Sequence, residues 1–243
     1  MTQAQKDAEL CGLVPEENDP GFVAQHLSAY AFMRPRIAGS RVMEVGFGDG
    51  YGSAYLAEAA NEVVGVDIIQ GNIPRAQAKY PRANLVFKHF DGARLPFADD
   101  TFDAAGAFQV IEHVPEPQLV PWLSEIKRVL RKGGKLYVST PNLAHMQKRG
   151  QPYHKLIYHE KEFTAQELEE LLKMVFPRVK LYGLQLGLKQ RFILRLKKWG
   201  FGKIYPFSET IKRYYSQVTI RDFVVTQTRV HRARDLYAVC EKA

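Results

Sequence analysis

The stretch Val42-Met43-Glu44-Val45-Gly46-Phe47-Gly48-Asp49-Gly50 decides the fold. A short apolar run carries one carboxylate near its end, and three glycines follow at alternate positions. Glycines crowded at a strand end let the backbone turn sharply and let a ligand approach it closely. Arg41 to Val45 therefore reads as a buried strand that enters a ligand-binding turn.

Outward from this point the pattern alternates. Tyr51 to Ala60 reads as a helix, Glu62 to Asp67 as a second buried strand, and Ile73 to Tyr80 as another helix. Asn84 to Phe87 leads to the Asp91-Gly92 corner, Phe102 to Phe108 is a further strand, and Val120 to Val129 a helix. Lys132-Gly133-Gly134 then turns into Lys135 to Ser139. Strands alternating with helices at this pitch predict βαβ units and a mostly parallel, doubly wound sheet covered on both faces. Upstream, residues 21–38 repeat apolar groups at helical spacing and set His26 and Tyr30 on one face. Downstream, Thr164 to Lys173 reads as a helix, with Thr164 and Glu167 spaced as a capping box. Arg178 to Tyr182 and Asp235 to Cys240 read as closing strands. Neither a repeat nor a linker divides the 243 residues, so one domain over 1–243 is expected, with a helical cap at 1–38 and an insert at about 187–230.

In a doubly wound sheet, ligands bind at the carboxyl ends of the strands near the switch point. A glycine turn after the first strand and a carboxylate ending the second fit a nucleoside-bearing cofactor, and Asp67 is placed to accept from ribose hydroxyls. Asp91, ending the next strand, can meet an adenine amino group. A dinucleotide is a poorer fit. Counting from Gly46, its G-x-G-x-x-G pattern needs glycine or alanine where this chain has Tyr51, and Glu44 would repel a pyrophosphate while suiting a cation.

The net charge of +8 is local. Between Lys189 and Arg213 stand eight basic residues and one acid, which leaves the rest of the chain at +1. On a helical wheel Leu188, Phe192, Ile193, Leu196 and Trp199 share an arc, with Arg191, Lys197 and Lys198 outside it. Three readings stand: a helix packed on the domain, one lying on an anionic membrane surface, or one holding a polyanion. The first twenty residues lack the apolar core of a signal peptide, and no run of about eighteen apolar residues occurs. Cys11 and Cys240 form no ligand-spaced set. A cytoplasmic protein is expected, with peripheral contact at the inner membrane surface left open by the basic segment.

The chain resembles the class I S-adenosylmethionine-dependent methyltransferases from Ala24 to about Tyr182. Glu44 to Gly50 is similar to that family's first motif, Val64-Gly65-Val66-Asp67 to its second, and Phe90 to Asp103 to its third. Phe108 to Val114 is similar to the fourth, and Arg128 to Leu136, continuing into Ser139-Thr140-Pro141-Asn142, to the fifth. The resemblance implies a Rossmann-like seven-stranded sheet with the last strand antiparallel, and S-adenosyl-L-methionine as cofactor. It implies that Gly46, Gly48 and Gly50 pack on the methionine part, with Glu44 beside them. Asp67 and Ile68 would hold the ribose, Asp91 and Gly92 the adenine, and the backbone near Gln109 the sulfonium side. The bacterial branches acting on small molecules and glycans are the nearest in character.

Methyl transfer from a sulfonium needs positioning, exclusion of water and often removal of a proton from the acceptor. His113, at the mouth of the cofactor site, is the first candidate base, with a hydrogen-bonded loop residue as its bland alternative. His154 and His159 lie in the loop that closes over the acceptor in this family, and His26 and Tyr30 offer a further wall. The chain has no Asn-Pro-Pro-Tyr motif for planar amines, so transfer to oxygen of a small-molecule, glycan-related or lipid-linked acceptor is expected. Glu112, His113 and His159 also match part of a metal-holding Glu-x-x-Glu-His pattern of RNA 2′-O-methyltransferases. Gln109 stands where the first carboxylate belongs, so no metal is expected; a metal-assisted RNA enzyme, or a cofactor-binding protein without turnover, stays as the alternative.

Overall fold

The computed structural model describes residues 12–147, 152–153, 155–199, 208–209, 213 and 217–243. His154, Cys11, Lys203 and Lys212, and the side chains of Lys197 and Lys198, lie outside this description.

The first helix, α1 (Pro20–Met33), is capped by Asp19, whose carboxylate accepts from the amides of Gly21 at 2.9 Å and Phe22 at 3.2 Å. It stops short of residue 38 because Pro35 has no N–H to extend the ladder, and a 3₁₀ turn Arg34–Arg36 follows. Then come β1 (Arg41–Val45), α2 (Tyr51–Ala57), β2 (Glu62–Asp67), α3 (Asn72–Lys79) and β3 (Leu85–His89). The second half contains β4 (Phe102–Phe108), α4 (Leu119–Val129), β5 (Leu130–Pro141), α5 (Leu143–Met146), α6 (Ala165–Val175) and β6 (Arg178–Leu186). It closes with α7 (Leu188–Lys198), β7 (Phe223–Thr226) and β8 (Asp235–Glu241). Thr164 caps α6 with the expected capping box to Glu167.

All eight strands form one sheet in the order β3-β2-β1-β4-β5-β8-β6-β7. The first five run parallel, and β8 enters antiparallel between β5 and β6. The expected seven strands are therefore eight. The addition is β7, a four-residue edge strand that the insert folds back against β6. The order reverses between β1 and β4, and this switch point opens a crevice at the strands' carboxyl ends.

Alternation along β1 assigns each side chain to a layer. Met43 and Val45 enter the core under α4 and α6, with Leu123, Ile126, Leu168 and Leu172. Val42 faces the other core, under α1 and α2, with Met33, Ile37 and Leu56. Glu44 shares the parity of Val42, so the carboxylate of the opening motif points into the α1/α2 layer.

Candidate active site

The crevice at the switch point is lined by Gly46, Gly48, Asp67, Ile68 and Gln109, together with His26, Tyr30, Val110 and His113. Gly46, Gly48 and Gly50 all have positive φ, at 73°, 57° and 95°. At Gly46 the need for glycine is steric as well, since a Cβ there would stand 2.6 Å from a Val110 methyl. The turn is pinned to the end of β2. Gly46 N donates to Val66 O at 2.7 Å, and Gly48 N donates to Asp67 Oδ2 at 2.9 Å. The other Asp67 oxygen accepts from Ile69 N at 2.8 Å. Asp67 is buried, and burial raises its pKa against the pull of these amides. The Asn72 side chain and the Ile68 amide add to the hydrogen bonds that hold this carboxylate at the cleft.

Gln109 is one of three described non-glycine residues with positive φ, at 56°. This strained conformation costs about 1 kcal/mol. It sits at the cleft, held by its amide to Ser139 O at 2.9 Å and its side chain to Ser139 Oγ at 3.3 Å. The expected adenine corner borders the cleft without lining it. The Asp91 carboxylate closes its own turn by accepting from Ala93 N and Arg94 N, and Gly92 lies beside Ile68, which does line the cleft.

Glu44 sits away from the lining. It is fully buried, accepts from Tyr30 Oη at 2.6 Å, and makes a short bond with Ser53 Oγ. Burial raises its pKa to about 7, against the pull of these two hydroxyls. Its reach to the cleft is indirect, through Tyr30, whose ring packs 4.5 Å from Phe108. His26 lines the cleft, packed edge-on against Phe22 at 4.5 Å, and burial lowers its pKa to about 4.

At the acceptor end the structure brings together Glu112, His113 and His159, one ligand-capable atom of each lying within 4.8 Å of the others. His113 Nδ1 meets the Tyr158 carbonyl at 2.9 Å, and burial lowers its pKa. His159 Nδ1 meets Glu162 Oε1 at 2.8 Å, and burial takes its pKa to about 4. Glu112 is 1% exposed, and burial raises its pKa to about 8. The segment after His159 is fastened to this turn by backbone, as Glu160 N and Lys161 N donate to Glu112 O at 2.7 and 3.1 Å. Glu162 was not among the candidates read from the sequence. The i, i+3 spacing His159-x-x-Glu162 is the signal that could have found it.

The sequence matches the methyltransferase-domain family model over residues 43–138. A "probable S-adenosylmethionine-dependent methyltransferase" of Mycolicibacterium smegmatis is 36% identical over 66% of this chain and 63% of its own length. The ubiquinone biosynthesis O-methyltransferase of a Ruegeria species is 32% identical over 43% of this chain and 42% of its own. The chain thus spans less than two thirds of these relatives. Among solved structures, a SAM-dependent methyltransferase of Thermotoga maritima superposes with a TM-score of 0.61 at 18% identity, covering 91% of this chain and 93% of its own, a likeness that bears on fold. Glycine turn, strand order and these matches agree on a class I S-adenosylmethionine-dependent methyltransferase domain, matched over residues 43–138.

Proposed function

We propose that the protein transfers a methyl group from S-adenosyl-L-methionine to an oxygen of a small-molecule or glycan-related acceptor. The observation that carries this reading is the single cleft that joins the Asp67-anchored glycine turn to His113. A carbonyl oxygen can only accept, so His113 Nδ1 carries a proton toward Tyr158 and a neutral ring keeps its lone pair on Nε2. Burial holds the ring neutral, as a group that takes a proton from a hydroxyl must be. The match to an O-methyltransferase of quinone biosynthesis supports oxygen. The test offers the enzyme and labelled cofactor paired acceptors that differ only in hydroxyl against amine. Label on the hydroxyl member is expected; label confined to the amine would sink the oxygen assignment. Transfer to RNA would move the acceptor to the alternative class.

We further propose that α7 rests on an anionic bilayer. The packed side of this helix is Gln190 with Leu194, beside Val218 and Phe223. Most of the anticipated apolar arc faces outward instead, with Leu188, Phe192 and Trp199 being 83, 58 and 69% exposed. Exposed Arg191 and Arg195 flank them in a segment that carries +7. Amphipathic basic helices bind by apolar insertion plus attraction to anionic lipid. The protein is expected to sediment with phosphatidylglycerol vesicles and to be released by Phe192→Ser with Trp199→Ser. Equal sedimentation with zwitterionic vesicles, or retention of the double variant, would refute this, and preference for RNA over vesicles would assign the surface to nucleic acid. No described helix is long and apolar enough to cross a membrane.

A further inference from the structure

Three features of the acceptor end have no explanation in general-base chemistry alone. The first is Glu112, nearly inaccessible, whose Oε2 has no hydrogen-bond partner among the described residues. A buried carboxyl oxygen is costly to leave without a partner. The second is the accumulation of acids around it. Asp235 and Glu162 lie near it, and no lysine or arginine forms an ion pair with Glu112 or Glu162 among the described residues. Glu162 also leaves its Oε2 without a partner.

The third is the way the two imidazoles are held. His113 gives its Nδ1 to a backbone carbonyl and His159 gives its Nδ1 to a carboxylate, so in both rings the nitrogen left for a ligand is Nε2. A metal-binding histidine is held in this manner, its second nitrogen tied to a carbonyl or carboxylate that fixes tautomer and orientation. The rings stand edge to face, 5.1 Å apart at 82°, and the backbone bonds from Glu160 and Lys161 to Glu112 O keep the two segments in register.

We propose that Glu112, His113 and His159 bind one divalent transition-metal ion of the Zn²⁺ type at the acceptor end of the cofactor cleft. Two imidazoles with one carboxylate favour such an ion over Mg²⁺, which takes oxygen ligands almost exclusively. Bonds of about 2.1 Å in a tetrahedral site set the ligand atoms ~3.4 Å apart. The present separations, up to 4.8 Å, therefore close by roughly an ångström, within the reach of side-chain rotation. The missing carboxylate at Gln109 then matters little, since three protein ligands leave a position open for substrate.

The role of the ion rests on the O-methyl-transfer reading. There the ion takes the place of His113 as base, since an Nε2 that ligates it has no lone pair left for a proton. An acceptor hydroxyl bound at the open position loses its proton to solvent more readily, because the ion stabilises the alkoxide. The oxygen lone pair then forms the new O–C bond to the sulfonium methyl. The C–S bond breaks with its electron pair going to sulfur, giving the methyl ether, neutral S-adenosylhomocysteine and the released proton.

The test uses the full chain, stripped with a chelator and titrated with Co²⁺ alone, read by visible absorption and calorimetry. One equivalent is expected to bind and give the visible bands of a four- or five-coordinate nitrogen/oxygen site. Glu112→Gln and His159→Ala should each weaken binding at least tenfold, while His231→Ala, an exposed histidine outside the cluster, should leave it unchanged. Failure of the intact protein to bind Co²⁺, or binding that survives both substitutions, would overturn the site. Should Glu112→Gln not fold, His159→Ala decides alone. S-adenosylhomocysteine binding is measured on the same samples. Its absence would indict the methyltransferase reading, whereas its persistence without cobalt binding would indict only the metal.

Discussion

Asp67→Ala is expected to weaken S-adenosylhomocysteine binding by about a hundredfold while costing little stability. The Asp67 carboxylate does two things at once. It accepts from Gly48 N and Ile69 N, which sets the glycine turn against β2, and it lines the cleft. Losing the ligand's charge-assisted bond together with the shape of the turn is worth about 3 kcal/mol, or ~10² in affinity. The stability ledger differs. Asp67 has its pKa raised even though backbone amides hold it, so the cost of burial outweighs their help and the folded state gains little from the charge. A group kept charged and buried against its own solvation belongs to a ligand-binding role. Asp67→Asn removes the charge and one of the two backbone bonds, because its amide nitrogen donates and leaves only the carbonyl oxygen to accept from Gly48 or Ile69. It should fall between the two. Calorimetry and thermal melts on the same samples check this, and an alanine variant that binds within threefold of the parent would remove Asp67 from the site.

The parallel half of the fold was legible because its central strands β1 and β2 are buried on both faces and read as apolar runs ended by glycine or aspartate. Val63, Val64 and Val66 of β2 are all below 3% exposed, and periodicity needs no help there. The glycine turn was legible for a related reason, since nothing but glycine satisfies positive φ and the Val110 contact together. Three features were not legible, each for a physical cause. β7 is four residues long on a half-exposed edge, too short for alternation to register. The packed face of α7 is chosen by Val218 and Phe223, which lie more than twenty residues away, so a wheel drawn on the helix alone picked the exposed face as the apolar arc. Glu44 was read as a ligand for the cofactor because it adjoins the glycines, yet strand parity turns it toward Tyr30 and Ser53. Adjacency in the chain does not specify a face; alternation does. The pairing of His159 with Glu162 was visible only as a spacing, and its meaning came from the turn that His113 and Glu112 build opposite it.

The burial of Glu44 leads to a second large effect, at a position that carries no polar group. Gly52, in the first turn of α2, lies directly beneath the Tyr30 ring, and a Cβ built there overlaps the ring atoms and the hydroxyl. Gly52→Ala must therefore displace Tyr30, which is 5% exposed and wedged against Phe108 and Tyr51. Displacement overpacks the layer and removes one of the two hydroxyls that satisfy Glu44. Overpacking costs about 1–3 kcal/mol and the orphaned acceptor about 1–3 more, so a loss of roughly 2–6 kcal/mol is expected. For a chain of this size each kcal/mol lowers Tm by about 2–4 °C. Helix propensity alone predicts the opposite, since alanine exceeds glycine by about 1 kcal/mol inside a helix. The two effects separate in a Tyr30→Ala background. With the ring gone the clash is gone, and Gly52→Ala should become neutral or stabilising by up to about 1 kcal/mol. Residues in direct contact are where such non-additivity arises. Equal destabilisation of both backgrounds in denaturant melts would show that Gly52 is required by something other than Tyr30. A sign reversal would establish that the wall of the cleft, the buried carboxylate and this glycine act as one packed unit.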